Sequence, residues 1–289
     1  METPFTTLIE PGKLLAHLDR PGLVLFDCRF DLGDTERGYQ DYLKGHIPHA
    51  VYAHMDRDLS SAITETSGRH PLPNPVALIE WLKNSGVNNH SQVIAYDNSG
   101  GTMAVRIWWL LRWLGHTNVA ILDGGWQEWT QLSMPIAQEI PKPHCGQFIA
   151  TIDQSQVLET EQILIDLQEP QQQWLLIDAR TSERYRGEHE PIDPVAGHIP
   201  GAVNLPLQDN LGKDGRFLAP HRLRSLYEPL IGQHPVEKIA CYCGSGVTAC
   251  HNLLALEIAG FRGARLYAGS WSEWIRDSRY PIATVADNP

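Results

Sequence analysis

The stretch "ACYCGSGVTACH" at 240–251 contains the residues best suited to chemistry. Cys243 follows an apolar run and precedes a short loop that leads into a helical pattern. The glycines of this loop allow the backbone to approach a bound group closely. Backbone N–H groups in such a loop, together with a helix N-terminus, would stabilise negative charge on the sulfur. We therefore predict that Cys243 is a nucleophile. Its cradle would be formed by the residues that follow, with hydroxyls from two of them: Gly244, Ser245, Gly246, Val247 and Thr248.

The other cysteines predict packing and not chemistry. Cys241 lies in the apolar run and Cys250 on the helical pattern, and free cysteines are among the most buried residues. Five cysteines in 289 residues are a sparse, odd set. This argues against a disulfide framework and for a reducing, cytoplasmic location. The start of the chain has no basic segment followed by a long apolar run, so no signal peptide is expected.

The chain contains the same pattern twice. Four blocks recur in the same order at a nearly constant spacing, and they predict two copies of one domain. The predicted boundaries are 1–137 and 156–289, joined by a proline-containing linker at 138–155. The matched blocks are "LVLFDCRF" (23–30) with "WLLIDAR" (174–180), "KGHIPHAV" (44–51) with "AGHIPGAV" (196–203), "VIAYDNSGGTMA" (93–104) with "KIACYCGSGVTA" (238–249), and "LGHTNVAILDGGWQEW" (114–129) with "AGFRGARLYAGSWSEW" (259–274).

Short apolar runs alternate with amphipathic stretches in each copy, for example at 76–86 and 102–115. This alternation predicts an α/β fold, with a mostly parallel sheet flanked by helices in each domain. Sites in such sheets form at the carboxyl ends of strands. Cys243 lies at one such end, and Asp97 takes the matching position in the first copy.

These residues resemble a known family. The paired blocks, the "GHIPGA" motif, the "AGSWSEW" segment and the "CGSGVT" loop look like a tandem-rhodanese sulfurtransferase, and the resemblance covers nearly the whole chain. It implies an inactive N-terminal domain, which fits because Asp97 cannot carry sulfane sulfur. It also implies that Cys243 takes sulfur from a donor as a persulfide. The acceptor would be a thiol, cyanide or a thioredoxin-like protein.

The resemblance leaves the donor open. Thiosulfate enzymes of the family commonly carry cations within the loop, where this chain has glycine and serine. The loop instead resembles that of 3-mercaptopyruvate sulfurtransferases, in which two arginines bind the substrate. Arg184 matches the first arginine, but Asp193 occupies the position of the second, and Arg186 is the nearest replacement. We favour mercaptopyruvate, with thiosulfate as the alternative donor.

The mercaptopyruvate enzymes also imply a proton relay. Ser245 matches their loop serine, His46 in the first "GHIP" matches the histidine, and Asp34 is the candidate aspartate. Such a relay could deliver a proton to the leaving group. One Asp-x-Arg motif occurs in both copies, as Asp27 with Arg29 and as Asp178 with Arg180, and it predicts a structural ion pair in each.

Other functions fit less well. A cysteine phosphatase on this fold would need an arginine six residues after the cysteine, where the chain has Ala249. A non-catalytic binding module would be expected to lack Cys243. The net charge of −11 argues against nucleic acid or an anionic membrane surface as a partner. No usual zinc spacing occurs, so neither a metal nor another cofactor is expected.

Overall fold

The computed structural model describes residues 3–284, which divide into two compact units. The first unit comprises the chain up to Ser61 together with Leu72–Asp153 and Lys213–Phe217. The second comprises Ala62–Pro71, Gln154–Gly212 and the chain from Leu218 onward. Each unit thus takes a short segment from the other half of the sequence. We call Ala62–Pro71 the 62–71 arm and Lys213–Phe217 the 213–217 arm.

The first unit is a parallel sheet flanked by helices. The described strands have the order β1-β5-β4-β2-β3, and every pairing is parallel. The elements are β1 (Leu8–Ile9), α1 (Pro11–Leu15), β2 (Leu23–Asp27), α2 (Arg37–Lys44), β3 (Val51–Tyr52), α3 (Pro75–Asn84), β4 (Gln92–Tyr96), α4 (Ala104–Trp113), β5 (Val119–Leu122) and α5 (Gly125–Gln131).

The second unit repeats this plan with four described strands in the order β7-β6-β8-β9, again all parallel. Its elements are α6 (Thr160–Asp166), β6 (Leu175–Asp178), α7 (Ser182–Arg186), β7 (Val203–Asn204), α8 (Pro220–Ile231), β8 (Ile239–Tyr242), α9 (Ala249–Ile258), β9 (Arg265–Leu266) and α10 (Ser270–Trp274). Short 3-10 turns also lie at Gln154–Gln156, Leu207–Asn210 and Val236–Lys238. The predicted α/β class, with two domains of this kind, is confirmed.

Local sequence explains these elements. The strands are continuous apolar runs because helices cover both faces of a parallel sheet, and all four residues of β8 are buried. Helix α9 is buried from Ala249 to Leu256, and most of these residues are apolar. Its two buried polar residues, His251 and Asn252, form hydrogen bonds with Asn210. Helix α3 begins where the side chain of Asn74 accepts hydrogen bonds from the N–H groups of Val76 and Ala77.

The segment between the repeats lies along the first unit. The Gly146 N–H donates to the Lys83 carbonyl at 2.8 Å, and the Asn89 amide hydrogen-bonds the backbone of Ile149. Phe148 is buried. The domain boundaries at 137 and 155 stay a prediction. No described helix is long and apolar enough to cross a membrane.

Candidate active site

Cys243 lies where β8 ends, in the loop that leads to α9. Its side chain is buried, and its Sγ accepts a hydrogen bond from the Gly246 N–H at 3.1 Å. The Cys243 N–H donates to the Ser270 hydroxyl at 3.1 Å, and its carbonyl accepts from the Trp271 N–H at 3.0 Å. The loop is therefore fixed on both sides of the sulfur.

Gly246 is required by this geometry. Its φ of +76° lies in the left-handed region, and a Cβ atom there would come 2.2 Å from the Ala268 carbonyl oxygen. Any side chain would clash with backbone that cannot move easily. The sharp turn at Gly246 directs its N–H toward the sulfur.

The matching loop of the first unit has a negative charge at the same position. The Asp97 carboxylate accepts four backbone N–H groups at 2.7–2.9 Å, from Ser99, Gly101, Met103 and Ala104. Asp97 is fully buried, so these bonds replace its hydration. The loop after this strand is thus a site that accommodates an anion in one copy and a cysteine sulfur in the other.

A histidine contacts the Cys243 loop from the 62–71 arm. The Nδ1 atom of His70 lies 2.7 Å from the Ser245 Oγ, and both side chains are buried. The arm is held in the second unit by the Arg69 N–H, which donates to the Ser272 hydroxyl at 3.0 Å. A hydroxyl hydrogen-bonded to an imidazole next to a cysteine can pass a proton.

Two guanidinium groups lie over Gly244, beside Cys243. A Cβ atom on Gly244 would come 2.8 Å from the Nη2 of Arg69 and 3.4 Å from the Nη2 of Arg184. Both arginines form ion pairs with Asp193, and Arg184 also pairs with Glu190 at 2.9 Å. Positive groups of this kind suit an anionic substrate.

Comparisons with known proteins identify the family. The profile described as "Rhodanese-like domain" matches residues 10–132 and again 160–277. The chain belongs to the rhodanese family of sulfurtransferases. It is 46% identical over 279 residues to a probable 3-mercaptopyruvate sulfurtransferase of Pseudomonas aeruginosa, covering 96% of this chain and 98% of that protein.

Other relatives include both donor classes. A thiosulfate sulfurtransferase of Mus musculus is 34% identical over 263 residues, covering 89% of this chain and 86% of that protein. The solved 3-mercaptopyruvate sulfurtransferase of Leishmania major has a TM-score of 0.84 at 29% identity. The aligned region covers 97% of this chain and 77% of the Leishmania chain. These similarities confirm the tandem rhodanese fold and the sulfurtransferase class.

The surroundings of His46 differ from those that the predicted proton relay requires. The ring is fully buried in the first unit, with Nδ1 at 2.8 Å from the Tyr42 carbonyl and Nε2 at 3.2 Å from the Glu139 carbonyl. It stacks on the Tyr42 ring at 4.0 Å, as His198 does on Tyr185 at 3.8 Å. His46 therefore supports a turn, and His70 replaces it as the histidine beside Ser245.

Two further assignments need correction. Asp34 is exposed in the first unit, where its N–H donates to the Asp31 carboxylate at 3.3 Å. It is therefore no longer the candidate aspartate. Arg186 pairs with Glu188 at 2.8 Å on an exposed surface. Arg69 and not Arg186 accompanies Arg184 at Gly244, because the 62–71 arm carries it there.

A repeat in the sequence could have identified both missed residues of the rhodanese site. The segment "SGRHPLP" (67–73) matches "DGRFLAP" (214–220), so Arg69 corresponds to Arg216 and His70 to Phe217. In the first unit, the Phe217 N–H donates to Asp123 at 3.0 Å, and a Cβ atom on Gly101 would come 3.4 Å from the Phe217 ring. Each arm thus covers one loop, with histidine over the cysteine loop and phenylalanine over the aspartate loop.

Two buried ion pairs are structural, as the sequence predicts. Arg29 binds Asp27 and the Gly45 carbonyl, and Arg180 binds Asp178 and the Gly197 carbonyl. Each guanidinium thus ties the end of a strand to the turn of a "GHIP" motif. Each also lies over a tryptophan ring, Trp126 at 4.5 Å and Trp271 at 4.7 Å.

Cys28 and Cys241 are also buried. Burial raises the pKa of the Cys28 thiol well above its usual value, and burial also raises that of Cys241. Burial thus favours the neutral thiol at both positions, and a neutral thiol is a poor nucleophile. Within residues 3–284, no group of three His, Cys, Asp or Glu side chains is arranged to hold a metal ion.

Proposed function

We propose that this rhodanese transfers sulfane sulfur from 3-mercaptopyruvate, through a persulfide on Cys243, to a thiol, cyanide or a thioredoxin-like protein. The His70–Ser245 hydrogen bond of 2.7 Å carries the choice of donor. Pyruvate leaves mercaptopyruvate as an enolate, which must take a proton on carbon. Sulfite leaves thiosulfate as an anion and needs no such proton. A hydroxyl–imidazole pair in the nucleophile loop therefore favours mercaptopyruvate.

The first half-reaction follows from the loop. The Cys243 thiolate attacks the sulfur of mercaptopyruvate, and an S–S bond forms as the C–S bond breaks. The bonding electron pair passes to the departing enolate. Ser245 donates its hydroxyl proton to the enolate carbon, which gives pyruvate, and His70 then donates a proton to the serine oxygen. The Gly246 N–H, 3.1 Å from Sγ, supports the negative sulfur.

The second half-reaction restores the enzyme. An acceptor thiolate or cyanide attacks the outer sulfur of the persulfide, and the Cys243 thiolate leaves. Arg69 and Arg184, which lie over Gly244, would bind the donor carboxylate beside the reacting sulfur. Asp193 occupies the sequence position expected for a second substrate-binding arginine, and Arg69 from the 62–71 arm would supply that second guanidinium instead.

Thiosulfate is the second candidate donor. The relative from Mus musculus is named a thiosulfate sulfurtransferase, and guanidinium groups also bind sulfur oxyanions. We further propose a cytoplasmic location, since all five cysteines are free and a reducing compartment would keep them so. Detection of the chain chiefly outside the cytoplasmic fraction would contradict that location.

Steady-state kcat/KM for mercaptopyruvate and thiosulfate, each with cyanide and with a thiol acceptor, tests the proposal. We expect the higher value for mercaptopyruvate with either acceptor. Cys243→Ser should abolish transfer from both donors, whereas Cys145→Ser, at an exposed cysteine of the first unit, should retain it. A higher kcat/KM for thiosulfate would make thiosulfate the preferred donor instead of mercaptopyruvate. Turnover by Cys243→Ser would refute the assignment of Cys243 as the nucleophile.

A further inference from the structure

Asp193 joins the two arginines of the site. Its Oδ1 pairs with the Nη1 of Arg69, and its Oδ2 lies 3.0 Å from the Nη2 of Arg184. The Asp193 side chain is only 2% exposed, against 21% for Arg69 and 13% for Arg184. One carboxylate therefore lies between the two cations, and it is more buried than either of them.

The neighbouring charges are matched in the same way. The Glu190 carboxylate accepts from Arg184 at 2.9 Å and lies 3.3 Å from Arg180, which also binds Asp178. With Arg69 and Asp193, this network holds three guanidiniums and three carboxylates. Two arginines that would offer two positive charges thus belong to a cluster with no net charge.

The network still presents donors toward Cys243. The Nη2 atoms of Arg69 and Arg184 face Gly244, the residue next to the nucleophile. In the described part of the chain, the Nε of Arg69 is buried and has no hydrogen-bond partner. The site can therefore form hydrogen bonds to an anion while offering it little net attraction.

We propose that Asp193 is a built-in counter-ion that makes the site select donors by charge, favouring a monoanionic carboxylate over a dianion. This inference rests on the proposed binding of the donor at Arg69 and Arg184. Repulsion by Asp193 scales with the charge of the bound molecule. It therefore penalises a dianion such as thiosulfate twice as strongly, on a logarithmic scale, as a monoanion such as mercaptopyruvate or pyruvate.

Binding to a protein that cannot turn over tests the inference directly. In the Cys243→Ala background, isothermal titration gives the Kd of pyruvate and of thiosulfate, with and without Asp193→Asn. We expect Asp193→Asn to lower Kd on the order of tenfold for pyruvate and a hundredfold for thiosulfate, at fixed ionic strength. The control is Glu188→Gln, which removes an exposed carboxylate that pairs with Arg186, and both Kd values should stay within about twofold.

Several results would overturn the inference. Equal changes for the two anions would show that the Asp193 charge does not select between them. Weaker binding of both would show that Asp193 serves to position the arginines, and no change would show that it has no influence. Near-UV circular dichroism reports whether Asp193→Asn retains the fold, and Asp193→Ser is the substitute if it does not.

A double-mutant cycle gives a second measurement. With Arg69→Gln present, the Asp193 carboxylate loses one partner, so the effect of Asp193→Asn on thiosulfate should differ from its effect alone. Additive effects would show that the two residues do not act together on the anion. Because these measurements use binding, they are separate from the donor preference: a wild-type enzyme inactive with mercaptopyruvate would refute the proposed function while leaving the charge rule testable.

Discussion

Replacing Ser245 by alanine should separate the two donors. The change removes the hydroxyl that lies 2.7 Å from the His70 Nδ1, and it leaves Cys243 and its Gly246 N–H in place. Mercaptopyruvate turnover loses its proton donor, whereas thiosulfate turnover has no carbon to protonate. The single substitution should therefore change the ratio of the two kcat/KM values.

The structure sets the size of the effect. Ser245 is 8% exposed and His70 is 6% exposed, so bulk water has limited access to replace the lost hydroxyl. General acid–base groups typically contribute 10²–10⁴-fold, and we expect a fall of about 100-fold for mercaptopyruvate. That corresponds to about 2.7 kcal/mol of transition-state stabilisation. The loss for thiosulfate should stay below about tenfold, since only packing and polarity of the loop change.

Parallel kinetics with both donors provide the assay, with cyanide as the common acceptor. Ser225→Ala, on the exposed face of α8, is the matched control and should leave both values unchanged. If Ser245 and His70 act as one relay, the double variant with His70→Ala should be little worse than either single variant. Equal losses for the two donors would refute the relay, because proton delivery would then not distinguish them.

Three further outcomes follow from the loops and the ion network. Asp97→Ala leaves four N–H groups without their carboxylate and should lower the free energy of unfolding by about 2–4 kcal/mol, measured by urea titration; an unchanged midpoint would contradict the anchoring role. Gly246→Ala brings a Cβ to 2.2 Å from the Ala268 carbonyl and should abolish transfer from both donors, which normal turnover would disprove. Although burial opposes ionisation, hydrogen bonds from Arg184 lower the pKa of Glu190. The Glu190 carboxylate therefore stabilises the fold above about pH 4.5, and this stabilisation is lost as the pH falls further. Glu190→Gln should flatten the acid limb of a plot of Tm against pH, and an unaltered limb would exclude this contribution.

The sequence predicted the fold well because the strands are buried on both faces. Runs such as Leu23–Asp27 and Ile239–Tyr242 stand out as continuous apolar segments, and their recurrence in one order shows the duplication. The comparison of Asp97 with Cys243 also predicts which of the two loops carries a nucleophile. Both conclusions depend on the order of residues within short segments, which can be compared directly in the linear sequence.

The rest of the site depends on contacts distant in the chain. Arg69 and His70 lie in a segment with no helix or strand, and their contacts with Gly244 and Ser245 join residues far apart in sequence. Because of its "GHIP" motif, His46 is predicted to act in the relay, yet His198 in the other copy stacks on a tyrosine ring in the same way. A residue that is present in both copies, although only one copy has the loop cysteine, indicates a role in folding.

The 62–71 arm also has a consequence for how the protein is made. During translation, the arm leaves the ribosome long before β8 and α9, the elements on which its contacts depend, have been synthesised. Closing so long a loop is entropically costly, so the joining of Arg69 and His70 to the cysteine loop should come late in folding. A C-terminal half expressed alone would carry Cys243 without either residue. Supplying the missing N-terminal half as a separate polypeptide is therefore a route to restoring the site by complementation.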